Sequence, residues 1–327
     1  MFLGVDGGGT KTAMCLIDQD GHLVAQQQVA SVDYFTHGIE IVGRILTQGV
    51  REICETTGIA PDELEYAFFG LPTYGEASGD VAALDAAPRA ALGHERYRCN
   101  NDMVCGWAGS LGAADGINVI SGTGSMTYGE RAGKGARVGG WGELFGDEGS
   151  AYWIAIRGLM TYSQMSDGRL APGPLVDVLR HHLDLAGDLD LVDMVLNRWK
   201  GSRSEIAALS RQVGEAAARG DASAAAILAD AGRELASLVD CTRRQLGFEP
   251  GEVVPVSYSG GVFGSDAVLA AFTAELDARD GQHEIRQPLY TPDVGAALYA
   301  AKLAGRPLEP DALARLRTPL ATATSKA

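Results

Sequence analysis

A β-strand, a glycine-rich turn and a second β-strand occur twice along this chain. The first copy is FLGVDGGGTKTAMCLI at residues 2–17, and the second is GINVISGTGSMTYGE at residues 116–130. In both copies the apolar runs have the length of a strand, and the glycines between them allow a tight turn. The repeat predicts two related α/β halves rather than one large core.

The first copy continues into a pattern typical of an α/β domain. The turn at residues 19–21 predicts a hairpin and a third antiparallel strand over His22–Val29. Helical spacing of apolar residues predicts a helix over Gly38–Thr57. The unbroken apolar run Tyr66–Leu71 predicts a buried parallel strand. A short strand and a helix rich in Gly and Ala follow within residues 97–114.

The second copy leads into a long, mainly helical region from residue 150 to 246. Caps and apolar spacing predict helices over Ser204–Arg219 and Ser223–Leu246. A strand over Val253–Ser257 and a last helix over Asp293–Leu303 complete the pattern.

The length of 327 residues also favours two domains. We expect an N-terminal domain over 1–115 and a C-terminal domain over 116–327, with the last helix able to pack back on the first domain. No Pro/Ser-rich linker separates them, so a hinge is expected.

The charge balance limits the partners. Asp and Glu total 42 against 27 Lys and Arg, which gives a formal net charge of -15. Such an acidic surface argues against nucleic acid and against anionic membranes as partners. A single ATP remains compatible, because backbone amides, a metal and a few side chains can hold it.

The cysteine content indicates a reducing compartment. The five cysteines, at positions 15, 54, 99, 105 and 241, form no C-x-x-C pair. The chain has no run of 18 apolar residues, and its N-terminus begins as a strand rather than as a signal peptide. We therefore expect a cytoplasmic protein.

Three glycine turns are candidates for binding an anion. They are Asp6–Thr12, Ser121–Ser125 and Ser257–Phe263. Each alone is compatible with an ordinary turn, and none has the spacing of a Walker A loop or of a dinucleotide fingerprint. Successive amides in such turns can point at one phosphate, and the three together are much more specific than any one.

With these residues the chain resembles the ATPase superfamily of sugar kinases, actin and heat-shock chaperones. Asp6–Thr12 is similar to its first phosphate motif, Ile120–Ser125 to its second, and Val256–Phe263 to its adenosine motif. More narrowly, the chain resembles the BadF/BadG/BcrA/BcrD ATPase family and its N-acetylglucosamine kinase branch, most specifically over Gly139–Ala155. The resemblance implies an α/β protein with two ribonuclease-H-like (actin-like ATPase) domains and a central cleft.

The resemblance also implies that ATP and Mg²⁺ bind to this chain. Asp6 would hold Mg²⁺ through water. Lys11 could instead be an ordinary charged hairpin residue. The residues expected at the nucleotide and its phosphates are Gly8, Gly9, Thr10, Lys11, Thr12, Gly122, Thr123, Gly124, Gly214, Gly260 and Gly261.

Asp102 lies between a predicted strand and a predicted helix. Taken alone, an aspartate at this position is best explained as a helix cap. A kinase needs one carboxylate beside the attacking hydroxyl, and the matching aspartate of the family is its catalytic base. With the three glycine turns present, we expect Asp102 to be catalytic.

The resemblance places a sugar against a further set of residues. The chain departs from the family at Asp33, where the family usually has Asn. An ionised Asp only accepts hydrogen bonds, which suits hydroxyls or the ammonium of glucosamine. Helix capping is the alternative role for Asp147 and Ser150. The expected sugar contacts are Asp33, Tyr34, Asp102, Thr123, Gly140, Trp141 and Asp147.

The implied function is an ATP-dependent amino-sugar kinase that phosphorylates the 6-hydroxyl of N-acetyl-D-glucosamine or glucosamine. Its partners would be the sugar and ATP, and a homodimer is left open. One alternative is an ATPase activator of the 2-hydroxyacyl-CoA dehydratase or benzoyl-CoA reductase type. That function is disfavoured because no cysteine occurs between 105 and 241 to hold its iron–sulfur cluster. The other alternative is a non-catalytic, nucleotide-gated binding protein.

Overall fold

The computed structural model of the protein describes residues 1–279 and 281–324, which form two compact units. One unit comprises Met1–Asp115 and the described chain from Gln287 onward, and the other comprises Gly116–Arg286. The predicted division assigned 287–327 to the second domain, apart from a helix able to pack back. In the structure, the described part of that stretch belongs with the first unit.

Ten strands and thirteen helices make up the regular structure of the described residues. In chain order, the strands are β1 (Phe2–Gly7), β2 (Lys11–Ile17), β3 (Leu23–Ala30), β4 (Tyr66–Leu71), β5 (Tyr97–Asn101), β6 (Gly116–Ser121), β7 (Ser125–Arg131), β8 (Lys134–Gly139), β9 (Val253–Ser259) and β10 (Gln282–Arg286). The helices are α1 (Tyr34–His37), α2 (Glu40–Thr57), α3 (Val81–Leu92), α4 (Met103–Leu111), α5 (Ala151–Ser166), α6 (Pro174–Leu183), α7 (Asp190–Val192), α8 (Arg203–Ala208), α9 (Ser210–Ala218), α10 (Ala222–Leu246), α11 (Asp266–Asp277), α12 (Pro292–Leu303) and α13 (Pro310–Thr324). Short 3₁₀ or π turns occupy Pro61–Glu63, Ser78–Asp80, Asp193–Arg198 and Gly261–Gly264.

Both units contain a five-stranded sheet with the same topology. The strand order is β3-β2-β1-β4-β5 in the first unit and β8-β7-β6-β9-β10 in the second. In each unit the first three strands are antiparallel and the other two lie parallel to the central one. The prediction of two related α/β halves of the ribonuclease-H type is confirmed.

Sequence patterns missed two strands and one helix break, and the helix predicted as the last, over Asp293–Leu303, is followed by α13. β8 (KGARVG) and β10 (QHEIR) are edge strands with mostly partly exposed or exposed residues, so neither carries a continuous apolar run. The helix predicted over Ser204–Arg219 is broken at Leu209, which ends α8 and precedes α9. Leu209 is itself buried, and for this reason the apolar spacing continues across the break.

Glycines let α12 pack tightly on the first sheet. A Cβ on Gly4 of β1 would lie 2.2 Å from the carbonyl oxygen of Asp293, and a Cβ on Gly295 would lie 2.0 Å from the amide nitrogen of Gly109. Both distances are far below van der Waals contact, so only glycine permits this approach. The packing brings the start of α12 close to the end of β1, where the candidate site begins.

Each unit has its own apolar core. The first is built from β1, β2, β4 and α2, with Leu3, Leu46 and Phe69 fully buried. The second is built around β6, β9 and α10, with Val119 and Leu235 fully buried. Among the described helices, none has both the length and the apolar character that a membrane crossing requires.

Candidate functional site

The first glycine turn joins β1 to β2 and presents its backbone at the surface. The amide of Gly8 donates to the carbonyl oxygen of Lys11 at 2.9 Å, which closes the turn. Gly9, Thr10 and Lys11 are exposed, as an anion-binding turn requires. Thr12 differs from them, because its side chain is fully buried and its hydroxyl makes no hydrogen bond within the described residues.

Three carboxylates of the first unit interact at the start of this turn, where Asp6 lies. Burial, and then the charges of Asp102 and Asp293, raise the pKa of Asp6 from 3.8 to about 7, against the opposing effects of the Cys105 thiol and Lys11. The structure thus brings together Asp6 and Asp102, which the sequence predicted for one site. A carboxyl group with a pKa near 7 beside other acids is typical of a functional site.

Asp293 is the member of this group that sequence reasoning did not assign to the site. It is buried at the start of α12, and Gln26 Nε2 donates to its Oδ2 at 2.6 Å. In the sequence, an aspartate at the start of an apolar helix resembles an ordinary first-turn acid. Only the packing of α12 on β1 reveals its proximity to Asp6.

Asp102 occupies the position before α4 but does not cap that helix. Its side chain accepts no capping hydrogen bond, whereas Asn101 Oδ1 accepts one from the Met103 amide at 3.2 Å. The Asp102 amide donates to the carbonyl oxygen of Leu71, which ties this junction to the end of β4. The explanation of Asp102 as a side-chain cap of α4 is therefore wrong.

These residues fit a hydrated magnesium ion better than a direct protein cage. Among the described residues, no group of three or more His, Cys, Asp or Glu side chains is arranged to hold a metal. Mg²⁺ keeps several waters and usually takes one or two carboxylates plus phosphate oxygens. The carboxylate of Asp6, with like charges on Asp102 and Asp293 nearby, is a donor set of this kind.

The predicted early sugar loop lies directly against the first glycine turn. The Asp33 amide donates to Ser31 Oγ at 3.0 Å, and the Ser31 hydroxyl donates to the carbonyl oxygen of Gly8 at 2.8 Å. Asp33 Oδ2 accepts from the Thr36 hydroxyl at 2.7 Å, and the residue is half-buried. Tyr34 is only 5% exposed, so its predicted contact with a sugar has less support than that of Asp33.

In the second unit, the turn between β6 and β7 is held by its own hydroxyls. Ser121 Oγ donates to the carbonyl oxygen of Gly149 at 2.9 Å, and Ser125 Oγ donates to that of Glu148 at 2.6 Å. These two hydroxyls are therefore not available as phosphate donors. Thr123 is exposed at its tip, and Gly122 and Gly124 leave the backbone accessible.

The third turn packs on the second. Gly260 has a φ of +98°, and a Cβ there would lie 2.2 Å from the carbonyl oxygen of Ser121. Glycine is thus required both by the backbone conformation and by the close approach. The structure brings the Ser121–Ser125 and Gly260–Gly261 turns together in one unit, as two of the predicted nucleotide motifs require.

A cavity of about 370 Å³ opens beside the third turn. Its size is within the range of small-molecule sites. Gly214 and Gly261 were predicted from the sequence, whereas Ser210 and Arg211 were not. Ser265 precedes α11, makes no capping hydrogen bond through its side chain, and lines the cavity. The lining residues are Ile154, Ser210, Arg211, Gly214, Leu228, Gly261, Val262, Gly264, Ser265 and Val268.

The loop before α5 holds the remaining predicted sugar contacts. Gly140 donates its amide to the carbonyl oxygen of Ser125, which places it beside the second turn. Trp141 is 71% exposed. Asp147 is 2% exposed, has a φ of +60° and forms an ion pair with Arg203. Capping of α5 is performed by Ser150, whose hydroxyl oxygen accepts from the Trp153 amide at 3.1 Å, so Asp147 is left for another role.

Comparison with known proteins gives the family. The family model described as the BadF/BadG/BcrA/BcrD ATPase family matches residues 3–300. The chain is 28% identical over 312 residues to the N-acetyl-D-glucosamine kinase of Dictyostelium discoideum, covering 92% of this chain and 97% of that protein. It is 30% identical over 265 residues to the N-acetylmuramic acid/N-acetylglucosamine kinase of Clostridium acetobutylicum, covering 80% and 84%.

A solved structure agrees with these relatives. A candidate N-acetylglucosamine kinase from Chromobacterium violaceum superposes with a TM-score of 0.67 at 25% identity, covering 91% of this chain and 98% of that one. The family match spans both units and includes all three glycine turns and the carboxylates beside the first. This chain belongs to the BadF/BadG/BcrA/BcrD ATPase family.

Proposed function

We propose that this protein is an ATP-dependent amino-sugar kinase that transfers the γ-phosphate to the 6-hydroxyl of N-acetyl-D-glucosamine or glucosamine. The observation that carries the proposal is the group of acids beside an exposed glycine turn in the first unit. The pKa of Asp6 in this group is raised to about 7, and the side chain of Asp102 does not cap α4. The relatives named as kinases of N-acetylated amino sugars support the same reaction class.

The nucleotide would be held mainly by backbone groups. Amides at Gly8–Lys11 of the first unit and at Gly122–Gly124 of the second can donate to phosphate oxygens. The cavity beside Gly261 is large enough for an adenosine moiety. Mg²⁺, when bound through water to Asp6, would neutralise charge on the phosphates. Binding by amides explains how a chain with a net charge of -15 can take a polyanion.

Asp102 is proposed as the catalytic base. Its carboxylate would accept the proton of the 6-hydroxyl as the oxygen attacks phosphorus in line. Proton transfer of this kind contributes about 10²- to 10⁴-fold to a rate. The side chain suits the role because its charge acts on Asp6 beside the first glycine turn, and because Asn101 rather than Asp102 accepts the hydrogen bond from the Met103 amide.

The sugar is proposed to contact Asp33 in the first unit, and Gly140 and Asp147 in the second. Asp33 has one carboxylate oxygen bonded to Thr36, and an ionised carboxylate accepts but does not donate. It can therefore receive a sugar hydroxyl or the ammonium of glucosamine. Because Asn is usual at this position in the family, glucosamine is included in the proposed substrate class beside N-acetylglucosamine.

The activator function has little support in the structure. An iron–sulfur cluster at a protein surface needs accessible thiolates, whereas Cys15, Cys54, Cys99 and Cys105 are buried and Cys241 is partly buried. Burial raises the pKa of the Cys15 and Cys105 thiols well above the ordinary value. We propose a reducing cytoplasm as the location, because free thiols and a supply of ATP are both found there.

The test is ADP release measured with a panel of sugars. Wild-type protein is mixed with Mg²⁺, ATP and each of N-acetylglucosamine, glucosamine, N-acetylmuramate, N-acetylmannosamine and glucose. We expect turnover with the first two, and a loss of about 10²-fold or more in kcat for Asp102→Asn with little change in either KM. Asp20→Asn, an exposed aspartate on the hairpin after β2, is the matched control. Absence of sugar-dependent ADP release across the panel would favour a non-catalytic nucleotide-binding protein. An equal kcat in Asp102→Asn and wild type would show that Asp102 is not the catalytic base.

A further inference from the structure

Arg203, the first residue of α8, reaches two carboxylates of the loop before α5. Its Nη2 lies 2.5 Å from Asp147 Oδ2, and its Nε lies 3.2 Å from Glu143 Oε2. Arg203 belongs to none of the three glycine turns, and nothing in the sequence pattern singled it out. One guanidinium therefore holds both ends of the segment 143–147.

Burial makes this ion pair necessary for Asp147. The residue is 2% exposed, and a buried carboxylate without a partner is strongly unfavourable. Its φ of +60° lies in the left-handed region, which aspartate tolerates but does not prefer. The surroundings must therefore hold both the charge and the backbone conformation, and Arg203 supplies a cation in direct contact with the carboxylate.

The ion pair also touches the second glycine turn. A Cβ on Gly124 would lie 2.5 Å from Arg203 Nη2 and 2.8 Å from Asp147 Oδ2. The turn backbone thus packs directly on both members of the pair. A displacement of Arg203 would therefore change the position of both the Asp147 carboxylate and the turn.

We propose that Arg203 is a positioning residue for the sugar site. It engages Oδ2 of Asp147 and leaves Oδ1 to accept a hydrogen bond from a sugar hydroxyl, and it fixes the loop 143–147 against the second turn. This inference rests on the proposed kinase function. Arg203 itself is not a phosphate ligand, because its charge is already shared between two carboxylates.

Substitution of Arg203 tests the proposal through a split between the two substrates. In Arg203→Gln, loss of the cation should raise the KM for the amino sugar by about ten-fold or more, whereas the KM for ATP stays within about two-fold. Arg203→Lys should fall between, since an ammonium is a point charge that cannot span both carboxylates. The control is Arg198→Gln, because Arg198 pairs with Asp193 at the surface of the same region and should leave both KM values unchanged.

A double variant distinguishes loss of sugar binding from loss of folding. Arg203→Gln leaves a buried charge, so its thermal unfolding is measured beside wild type. Asp147→Asn with Arg203→Gln leaves no buried charge at position 147, and the Glu143 carboxylate that also loses its cation is partly exposed to water. It should regain stability while its sugar KM stays raised, because no guanidinium then fixes the side chain at position 147 and its loop against the second turn.

The outcomes separate the proposed function from the proposed role of Arg203. A wild-type enzyme that phosphorylates no sugar in the panel overturns both the function and this inference. An active wild type with a sugar KM in Arg203→Gln within about two-fold of its own overturns the inference alone. An equal rise in the KM values of sugar and ATP also overturns it, since that result assigns Arg203 a general structural role.

Discussion

Replacing Asp6 with asparagine should stabilise the metal-free protein, and the gain should grow with pH. Burial, followed by repulsion from Asp102 and Asp293, raises the pKa of Asp6 from 3.8 to about 7. In the unfolded chain the carboxyl returns to its ordinary pKa. Between these two values the folded state keeps a proton that the unfolded state has lost, so the free energy of unfolding falls as the pH rises through this window.

The size of the effect follows from the shift. A rise of about three pKa units, at about 1.36 kcal/mol for each unit, sets an upper limit of about 4 kcal/mol on the stability lost by neutral pH. Asp6 keeps partial access to solvent, and water lowers the cost of a charge. We therefore expect about 2 kcal/mol. An asparagine does not titrate, so the variant should not show this loss.

The assay is urea unfolding of wild type and Asp6→Asn in EDTA at several values between about pH 5 and about pH 8. The difference in free energy of unfolding, variant minus wild type, should increase over this range by about 2 kcal/mol. The same variant should transfer phosphate far more slowly, because Asp6 is proposed to hold the hydrated Mg²⁺. A site that destabilises its own fold is a known cost of function.

Asp18 provides a control of opposite sign. Burial alone would raise its pKa, but hydrogen bonds from His22 and Asp20 hold the pKa of Asp18 below its ordinary value. Its contribution to stability is therefore present at neutral pH and is lost as the pH falls through the folded-state value. Asp18→Asn should thus destabilise the protein at about pH 8 and less so in acid. A stability difference for Asp6→Asn that is flat or that shrinks as the pH rises would refute the reasoning.

Three further predictions concern the turns and loops. Gly260→Ala should destabilise the protein by at least about 1–3 kcal/mol, seen as a lower Tm, because its φ is +98° and the new Cβ would meet the Ser121 carbonyl at 2.2 Å. Gly214→Ala should raise the free energy of unfolding by up to about 1 kcal/mol, since a Cβ there meets nothing within 4 Å. Gly214→Leu should fill the cavity and so raise the KM for ATP without raising the KM for the sugar. Asp33→Asn should shift kcat/KM from glucosamine towards N-acetylglucosamine by several-fold, about 1 kcal/mol, in competition assays; an unchanged ratio would show that Asp33 does not contact the 2-amino position.

Much of the fold followed from local patterns. The two strand–turn–strand units, the parallel strand β4 and the helix α10 have continuous apolar spacing, and such spacing reports burial directly. The edge strands β8 and β10 lack it because they are exposed on one side. The return of the chain to the first unit at Gln287 has no local signal, since it depends on glycines in β1 and α4 that accept α12.

The sequence predicted those site residues that stand in a recognisable local motif. It missed the residues whose role depends on a contact with a residue far away in the chain. Asp6 and Asp102 lie at the ends of predicted strands, and the glycine turns can be recognised directly in the sequence. The partnership of Asp147 with Arg203 joins residues 56 positions apart, and Asp293 reaches Asp6 only through helix packing. Neither can be read from spacing, because charge pairing depends on the tertiary structure.

The two units share a topology but differ in the charge at the edge that carries their turns. In the first, the carboxyl-terminal ends of β1 and β5 carry Asp6 and Asp102. In the second, the corresponding strands are β6, which ends in Ile120 and Ser121, and β10, which ends in Arg286, so no carboxylate stands at either strand end. Under the proposed function, each edge taken by itself gives a physical reason for this difference. A carboxylate can hold a metal ion that also binds phosphate, or it can accept a proton. An acid beside an amide turn that binds phosphate would instead repel the phosphate. Under the proposed function, the first unit would carry the acid chemistry and the second would bind the anion through uncharged amides.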